Sequence, residues 1–297
     1  MIFVVAIDPQ SILTLIERGE VGEELLLGIF EALLQNCLLA ETSVTWRMGG
    51  ELKDTVSYIK DPDIKKRVSA VMETFANPSK SRFVSVIDGY ESDWDTSLSE
   101  IVANQGDNAE LDAAICETPK HGGVLEFISA LRFNSSNFAR SRSRSACALI
   151  YAPGAKFAHG LLKEAFGRLV RHAEAIEIYD RQIGKDFGAN YYEAIPHWCK
   201  FFKGFDRKLE IVVHTTDAQA HGVKLRFQAE LADSKVTIKV VGHLETEQPH
   251  DRFLRACQFT IDIGRGIDLF DKDGACRDVK IGISNHGEFT KQWRHLS

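Results

Sequence analysis

The chain has 297 residues, which exceeds the usual length of one domain and indicates two domains or one large one. Hydrophobic residues make up 44% of it and charged residues 26%, so a packed core is feasible and general disorder is disfavoured. The formal net charge of -6 argues against a uniformly basic nucleic-acid-binding protein, although it leaves room for a local basic groove.

Targeting signals and cysteine pairs are not evident in the sequence. No apolar run reaches the length needed to span a bilayer, and the first ten residues lack the basic region and cleavage site of a signal peptide. The six cysteines form no Cys-x-x-Cys pair, so we expect buried free thiols in a reducing compartment. These features predict a cytoplasmic protein without a transmembrane segment.

Strand-like and helix-like segments alternate through the first half of the chain. Apolar runs predict strands at 2–7 and 83–87, and helical spacing of apolar residues predicts a helix at 21–34. Asp61 and Pro62 are a typical helix start, and Asp107 or Asn108 is expected to begin a further helix. This alternation predicts a central, largely parallel sheet in a first domain spanning 1–133.

The segment 134–146 interrupts this pattern. Its sequence is rich in serine and arginine, which is typical of an exposed connector between a first domain and a second one at 147–297. A solvated loop is the plainer interpretation. Alternatively, Arg140 and Arg142 bind phosphate groups, since clustered arginines stand out in an acidic protein.

The second half is predicted as a β-α-β-α-β-α-β-β succession, again an α/β pattern. Two of its strands end in polar residues, Asp180 and His214. Ligands of α/β sheets bind outside the carboxyl ends of the strands. If these two strands are parallel, Asp180 and His214 therefore converge on one edge of the sheet.

A second group of polar residues surrounds the strand predicted at 259–263. His250, Asp251 and Arg252 precede it, and Gly264 and Gly266 flank Arg265 directly after it. Two glycines so close together allow a tight backbone path, which would place Arg265 where the strand end opens to solvent.

These motifs resemble the C-terminal domain of MIT-domain proteins, a family with a phospholipase D-like fold. The family motif is a His-Asp-Arg triplet, a strand, and then Ile-Gly-Arg-Gly, an aliphatic residue, Asp and an aromatic residue. Here it reads His250 to Arg252, Ile263 to Asp268, and Phe270. The resemblance covers about 173–297, including a strand that ends at Asp180. It implies a phospholipase D-like α/β domain with a central mixed sheet.

The resemblance leaves the activity of this domain open. Phospholipase D enzymes use His-x-Lys-x-x-x-x-Asp, in which the histidine attacks phosphorus and the aspartate orients it. His250 and Arg252 take the first two places, but Cys257 stands where the aspartate belongs. Asp262 or Asp268 could substitute in space and make His250 catalytic.

In the alternative without catalysis, Arg252 and Arg265 grip a phosphate. The supporting residues would then be Asp180, His214, Asp251 and Asp268. The family that the domain resembles is non-catalytic and binds acidic membrane lipids in its eukaryotic members, whereas related bacterial domains include nucleases.

Acidic residues of the first half suggest a different chemistry. Asp8 follows the first strand, and Asp107, Glu110 and Asp112 lie near a predicted helix start. Carboxylates gathered in this way can hold Mg²⁺ or Mn²⁺ for phosphodiester hydrolysis.

This arrangement resembles PIN-like nucleases over about the first 130 residues. The resemblance implies catalytic Asp8, Asp107 and Asp112, with Asp8, Glu110 and Asp112 as metal ligands. No cofactor is expected for the second domain. Helix capping alone is the plainer explanation for acids at such positions.

Two functions follow from these observations. The first is a metal-dependent nuclease or phosphodiesterase that processes nucleic acid in a prokaryotic system such as phage defence. The second is a non-catalytic module that binds phosphate, nucleic acid or a partner protein. Because phospholipase D-like folds often need two copies to form one site, we expect a homodimer, with partner proteins of the same operon as further candidates.

Overall fold

The structure, a computed structural model, describes residues 2–42, 47–76, 82–87, 111–116, 125–145, 148–185, 190–247, 250–257 and 259–284. It confirms a mixed α/β protein, with one parallel and one mixed sheet. The chain divides into two compact units, Ile2–Arg144 and Ser145–Ser297, here called the first and second unit. The candidate residues Asp107 and Glu110 lie outside the described residues.

The first unit contains a parallel sheet with β1 at its centre. Its strands are β1 (Phe3–Ile7), β2 (Cys37–Thr42), β3 (Phe83–Ile87), β4 (Ala113–Ile115) and β5 (Glu126–Ile128). They are ordered β3-β2-β1-β4-β5, and every neighbouring pair is parallel. The strand order therefore reverses direction between β1 and β4, the type of position at which α/β sheets open a crevice for ligands.

Helices of the first unit pack their apolar faces into one core. They are α1 (Pro9–Ile16), α2 (Glu20–Asn36), α3 (Arg47–Val56), α4 (Pro62–Phe75) and α5 (Asn137–Ser145), with a 3-10 turn at Ala130–Ser135. The predicted start of α4 is confirmed, because Asp61 accepts hydrogen bonds from the backbone N–H groups of Asp63 and Ile64 at 2.8 and 2.9 Å. Such a cap satisfies donors that the first helical turn leaves unpaired.

The prediction of a helix after Asp107 is wrong in the part that the structure describes, because this part contains a strand. Ala113–Ile115 form β4, which pairs with β1 from Val5 to Ile7. All three β4 residues are buried. A central parallel strand is buried on both faces, so its residues are all apolar. An apolar run of only three residues fits a helix as well as a strand.

The exposed connector predicted at 134–146 is also wrong. Most of it forms α5, whose Phe138 is buried and makes an edge contact with Phe3 at 5.5 Å. Arg142 is 6% exposed and donates to the carbonyl oxygen of Ala32 at 2.8 Å and to Gln35 Oε1 at 3.1 Å. Because it donates to groups near the C-terminal end of α2, Arg142 has a structural role in the first unit.

Arg140, its neighbour on α5, is exposed and donates to Asn137 Oδ1 at 2.7 Å. The boundary between the two units falls directly after Arg144, at the end of the same helix.

The second unit contains the mixed sheet. Its strands are β6 (Leu149–Tyr151), β7 (Ala175–Tyr179), β8 (Leu209–Thr216), β9 (Val236–His243), β10 (Phe253–Ala256), β11 (Phe259–Ile263) and β12 (Val279–Ile283). The order is β6-β12-β11-β10-β7-β8-β9; the pairs β7-β8 and β8-β9 are parallel and the others are antiparallel.

Within the described part of this unit, three α-helices accompany the sheet, α6 (Ala158–His172), α7 (Asn190–Lys203) and α8 (Asp217–Glu230), and a 3-10 turn spans Glu245–Glu247. The crossovers through α7 and α8 run in the same direction across the sheet, so right-handed connections place both helices on one face. The buried aromatic rings of Phe166 and Trp198, 5.3 Å apart, join α6 to α7. None of the helices in the part of the chain that the structure describes is long and apolar enough to cross a membrane.

One edge of this sheet collects most of the candidate residues, and we call it the rim. The carboxyl ends of β7, β8, β9 and β11 and the start of β10 all lie there, because β10 runs opposite to β7 and β11 runs opposite to β10. The parallel pairing of β7 with β8 thus fulfils the condition under which Asp180 and His214 converge.

Replacing Arg142 by alanine should lower the free energy of unfolding by about 2 kcal/mol, because the buried Asn36 side chain and the half-buried Ala32 carbonyl oxygen near the end of α2 lose their donor. Arg140→Ala, on the same helix but exposed, should stay within about 0.5 kcal/mol of the parent. Urea unfolding of the two variants measures the difference. Equal stabilities would show that the buried contacts of Arg142 contribute nothing.

Candidate functional site

Asp180 lies at the centre of the rim and is fully buried. Its Oδ1 accepts a hydrogen bond from the backbone N–H of Gln182 at 2.9 Å, and its Oδ2 accepts one from Ile267 at 3.0 Å. Burial raises the pKa of the Asp180 carboxyl, while Arg252 and the two backbone donors oppose that rise. The carboxylate therefore connects the end of β7 to the turn that follows β11.

That turn can approach Asp180 only because position 266 is a glycine. Gly266 has φ +66°, and a Cβ atom there would lie 1.9 Å from Asp180 Oδ2 and 2.6 Å from Arg252 Cδ. The indole N–H of Trp198 also donates to the Ile267 carbonyl oxygen at 3.0 Å. The Gly-Arg-Gly sequence is therefore held from two sides, by a carboxylate and by the helix α7.

Arg252 is largely a structural residue of this arrangement. Its Nε lies 3.4 Å from Asp180 Oδ1, and its Nη1 donates to the Gly264 carbonyl oxygen at 3.0 Å. Two of the three guanidinium nitrogens of Arg252 therefore connect its loop to Asp180 and to the turn after β11. One side of that group still borders solvent, since the side chain is 20% exposed.

Arg265 and Asp268 form a second ion pair of the same turn. Arg265 Nη2 lies 3.2 Å from Asp268 Oδ2, and Arg277 Nε lies 3.1 Å from Asp268 Oδ1. Asp268 is buried between these two cations, so it does not serve His250. The Arg265 side chain is 44% exposed, whereas that of Arg252 is 20% exposed, so Arg265 is the more accessible of these two candidate phosphate-binding residues.

His250 does not have the environment of a phospholipase D nucleophile. The guanidinium of Arg181 lies against both ring nitrogens, with 2.9 Å between Arg181 Nη2 and His250 Nε2. A nucleophilic histidine needs an acid at one ring nitrogen to orient it and to stabilise its positive charge. A guanidinium in that place supplies neither, and Asp251 next to it is exposed.

An acid at the position of Cys257 could not orient His250, because the two positions lie at opposite ends of β10. Cys257 lies in the turn between β10 and β11, with φ +46°, whereas His250 precedes β10 at the rim. The four residues of β10 separate the two ends by roughly 13 Å at about 3.3 Å per residue. Asp262 lies on β11, where it pairs in register with Phe253 of β10 and Gly282 of β12.

A pair of histidines occupies the other part of the rim. His214 Nδ1 and His243 Nε2 are 3.0 Å apart. The two rings are stacked, with 14° between their planes and 5.2 Å between their centroids. Tyr179 stacks on His214 at 4.2 Å. Burial, together with His243, lowers the pKa of His214 to about 4. His214 is therefore a neutral, packed residue at pH 7 that supports the rim.

In the first unit, Asp8 lies at the carboxyl end of the central strand. Its backbone N–H donates to the Ile115 carbonyl oxygen of β4 at 2.8 Å, which places Asp8 at the point where the strand order reverses. Its carboxylate also caps α1, accepting from Gln10 N at 3.0 Å. Burial, together with the nearby Asp8, raises the pKa of Cys116 to about 11, so this thiol stays protonated at neutral pH.

Asp112 is not brought to Asp8. It lies before β4, and its Oδ2 accepts from the backbone N–H of Val4 at 2.8 Å, near the opposite end of β1. Because the intervening strand measures roughly 13 Å, Asp8 and Asp112 cannot share one metal ion. Among the described residues, no group of three or more His, Cys, Asp or Glu side chains could hold one.

The proposed set of Asp8, Glu110 and Asp112 therefore does not fit Mg²⁺ or Mn²⁺ as a whole, with Glu110 outside the described residues. The comparisons with known proteins add no second line of evidence. No protein-family model matches the chain, and no curated protein matches it significantly.

Sequence reasoning missed three residues of the rim: Arg181, His243 and Arg277. Arg181 directly follows Asp180, and His243 ends the strand β9, so the rule that ligands bind at the carboxyl ends of strands could have found both. Arg277 reaches Asp268 from a separate segment, and its role depends on tertiary contacts alone.

Gly266→Ala should lower the free energy of unfolding by about 3 kcal/mol or more, because the added Cβ collides with Asp180 and the backbone is left-handed there. Gly264→Ala is the matched control: its nearest neighbour would be the Lys280 carbonyl oxygen at an ordinary 3.5 Å. Its cost should stay below about 1 kcal/mol. Chemical denaturation compares them, and similar midpoints would contradict the close approach of Gly266 to Asp180.

Proposed function

We propose that the second unit is a phospholipase D-like domain without hydrolytic activity that binds phosphodiester groups of nucleic acid at its rim. The observation that carries this proposal is the contact between Arg181 and His250, where a guanidinium stands in the place of an orienting acid. A guanidinium and an imidazole together offer donors to a phosphate oxygen, whereas they make a poor nucleophile.

The charges of the rim support anion binding. Arg181, Arg252, Arg265 and Arg277 all lie there, although the whole chain carries a net charge of -6. Asp180 and Asp268 are buried beneath the arginines, so the cationic groups are the more exposed part. Phosphate groups favour bidentate arginine donors of this kind.

Position within the fold supports the same proposal. The rim is the carboxyl edge of the parallel strands β7 to β9, where α/β sheets present their ligand sites. The rigid Gly-Arg-Gly turn fixes the backbone on either side of Arg265. An arginine held on a preorganised turn loses less conformational freedom when it binds.

A nuclease activity of the first unit is the second candidate function. It is favoured by Asp8, which lies beside β4 at the reversal of strand order in a parallel sheet. Ligands of α/β sheets bind at positions of this kind, and the resemblance to PIN-like nucleases implies a catalytic acid directly after the first strand. Cleavage of RNA or DNA by this unit and phosphate binding by the second unit would together make a nucleic-acid-processing protein.

Arg265→Ala should weaken binding of a short single-stranded DNA about threefold to tenfold, and it should reduce the dependence of affinity on salt by about one counterion. Fluorescence anisotropy at several salt concentrations measures both effects. Arg67→Ala, which removes an exposed arginine of the first unit that pairs with Glu31, is the control and should bind as the parent does. Equal affinity of all three proteins would remove the rim as the binding site.

Acidic phospholipid vesicles provide the second arm of that experiment. Vesicles containing phosphatidylserine should not compete with the DNA for the rim. If the protein floats with the vesicles and does not bind DNA, the rim recognises lipid phosphate groups and the nucleic-acid proposal is wrong.

Asp8→Asn should reduce any cleavage of RNA or DNA by the first unit at least about a hundredfold, while retaining the cap of α1 because asparagine caps helices equally well. Asp61→Asn changes another capping aspartate, that of α4, and should leave the rate unchanged. A gel assay with Mg²⁺ or Mn²⁺ compares them. Undiminished cleavage by the Asp8 variant would exclude this residue from the chemistry.

A further inference from the structure

We propose that the outer edge of β9 is a docking site for an extended segment of a partner protein, which adds to the mixed sheet as a further strand and carries an acidic residue opposite Lys239. This inference goes beyond the proposed binding of nucleic acid, because it concerns a different ligand and a different surface of the second unit. It depends on the backbone of β9 and on one exposed lysine.

The strand β9 is the last strand of the mixed sheet. Its eight residues pair with β8 along their whole length, without a shift of register. Proteins commonly protect such an edge from pairing with another chain by a short strand, a bulge or a proline. None of these three features is present in β9, so its edge is open to a further strand.

The direction of the hydrogen bonds identifies the backbone groups of this edge. The N–H of Leu209 in β8 donates to the carbonyl oxygen of Lys235, directly before β9. Because backbone groups point to alternate sides along a strand, the N–H and C=O groups of Ile238, Val240 and Gly242 point away from β8. Within the part of the chain that the structure describes, no hydrogen bond to these groups is found. They are the donors and acceptors that an added strand requires.

The side chains beside this edge favour an apolar strand as the occupant. Ile238 and Val240 are half-buried and lie on the same face of β9 as Gly242. The helix α8 packs on that face, since a Cβ at position 242 would lie 3.3 Å from Ala220 Cβ. A strand added next to β9 would cover the remaining exposed parts of Ile238 and Val240. Burial of this apolar surface would then stabilise the complex together with the backbone hydrogen bonds.

Lys239 distinguishes a partner strand from a second copy of this chain. It lies on the other face of β9, is exposed, and forms no ion pair within the described residues. Residues 236–243 contain no Asp or Glu, so the β9 strand of a second copy offers no acid to Lys239 in any register. A lysine in an edge strand disfavours the pairing of two like edges, whereas an acidic residue directly opposite stabilises strand pairing. The charge of β9 therefore favours a partner strand that carries an acid.

The experiment adds a short peptide with capped ends to the full chain. The peptide alternates valine and threonine and has glutamate in place of its central threonine; a comparison peptide has lysine there. Hydrogen exchange at the backbone N–H groups of Ile238, Val240 and Gly242, followed by NMR, should slow when the glutamate peptide binds. The lysine peptide should bind about fivefold more weakly, because it places two like charges opposite each other.

Variants of the protein locate the binding. Val240→Pro removes one outward N–H group and no hydrogen bond to β8, so it should fold and bind the glutamate peptide about tenfold more weakly. Lys239→Glu should reverse the preference between the two peptides. Lys66→Glu, which changes an exposed lysine of α4 in the first unit, is the matched control and should bind as the parent does. A glutamate peptide methylated at its amide nitrogens tests the same hydrogen bonds without a change in the protein, and it should not bind.

Three outcomes would overturn this inference. The first is that neither peptide slows exchange at the edge of β9, and the second is that the parent does not prefer the glutamate peptide. The third is that Val240→Pro converts a dimer of the parent into a monomer in sedimentation, which would make a second copy the occupant. All three leave the proposed function standing, because DNA binding at the rim is tested separately through Arg265.

Discussion

The buried carboxylate of Asp180 is the constraint on which the rim of the second unit depends. A buried carboxylate is costly unless hydrogen bonds and opposite charge compensate it. Here the backbone N–H groups of Gln182 and Ile267, together with the Arg252 guanidinium, provide that compensation. The requirement brings the end of β7, the start of β10 and the turn after β11 together. It also restricts position 266 to glycine, because any side chain would occupy the place of the carboxylate.

The same constraint separates structural from ligand-binding arginines. Arg252 pairs with the carboxylate of Asp180 and donates to the Gly264 carbonyl oxygen, so its guanidinium has a role in the fold. Arg265 lies on the turn that Asp180 holds and projects further into solvent. Arg181 follows Asp180 directly and meets His250. An identical residue type thus has three different roles within one edge of the sheet, and only the contacts distinguish them.

Several elements could be predicted because their local signals are strong. Asp61 and Pro62 mark the start of α4, and its buried residues follow helical spacing. The apolar run that ends at Asp8 forms β1. The segments with weaker local signals were predicted wrongly. The arginine and serine content of α5 predicts a loop, because it hides the burial of Phe138 and Arg142. The short strand β4 cannot be distinguished from a helix in the sequence, because three apolar residues show no periodicity.

The candidate site shows the same division. The sequence predicts that Asp180 and His214 converge on one edge if their strands are parallel, and the parallel pairing of β7 with β8 brings them there. The antiparallel strands β10 and β11 bring His250 and Arg265 to the same edge. Asp8 and Asp112 were expected to meet, and the strand β1 keeps them apart, because one follows it and the other lies beside its beginning. Spacing along a chain does not reveal which end of a neighbouring strand a residue will reach.

By itself, the sequence determined the α/β class, the main helices and strands, and the glycines that permit a tight turn after β11, because these depend on local periodicity and backbone freedom. Only the tertiary structure decided which charges meet. It placed the guanidinium of Arg181 against His250, put Cys257 at the far end of β10, and buried Arg142 against α2. Strand order and register set these neighbours, and both are properties of the folded chain as a whole.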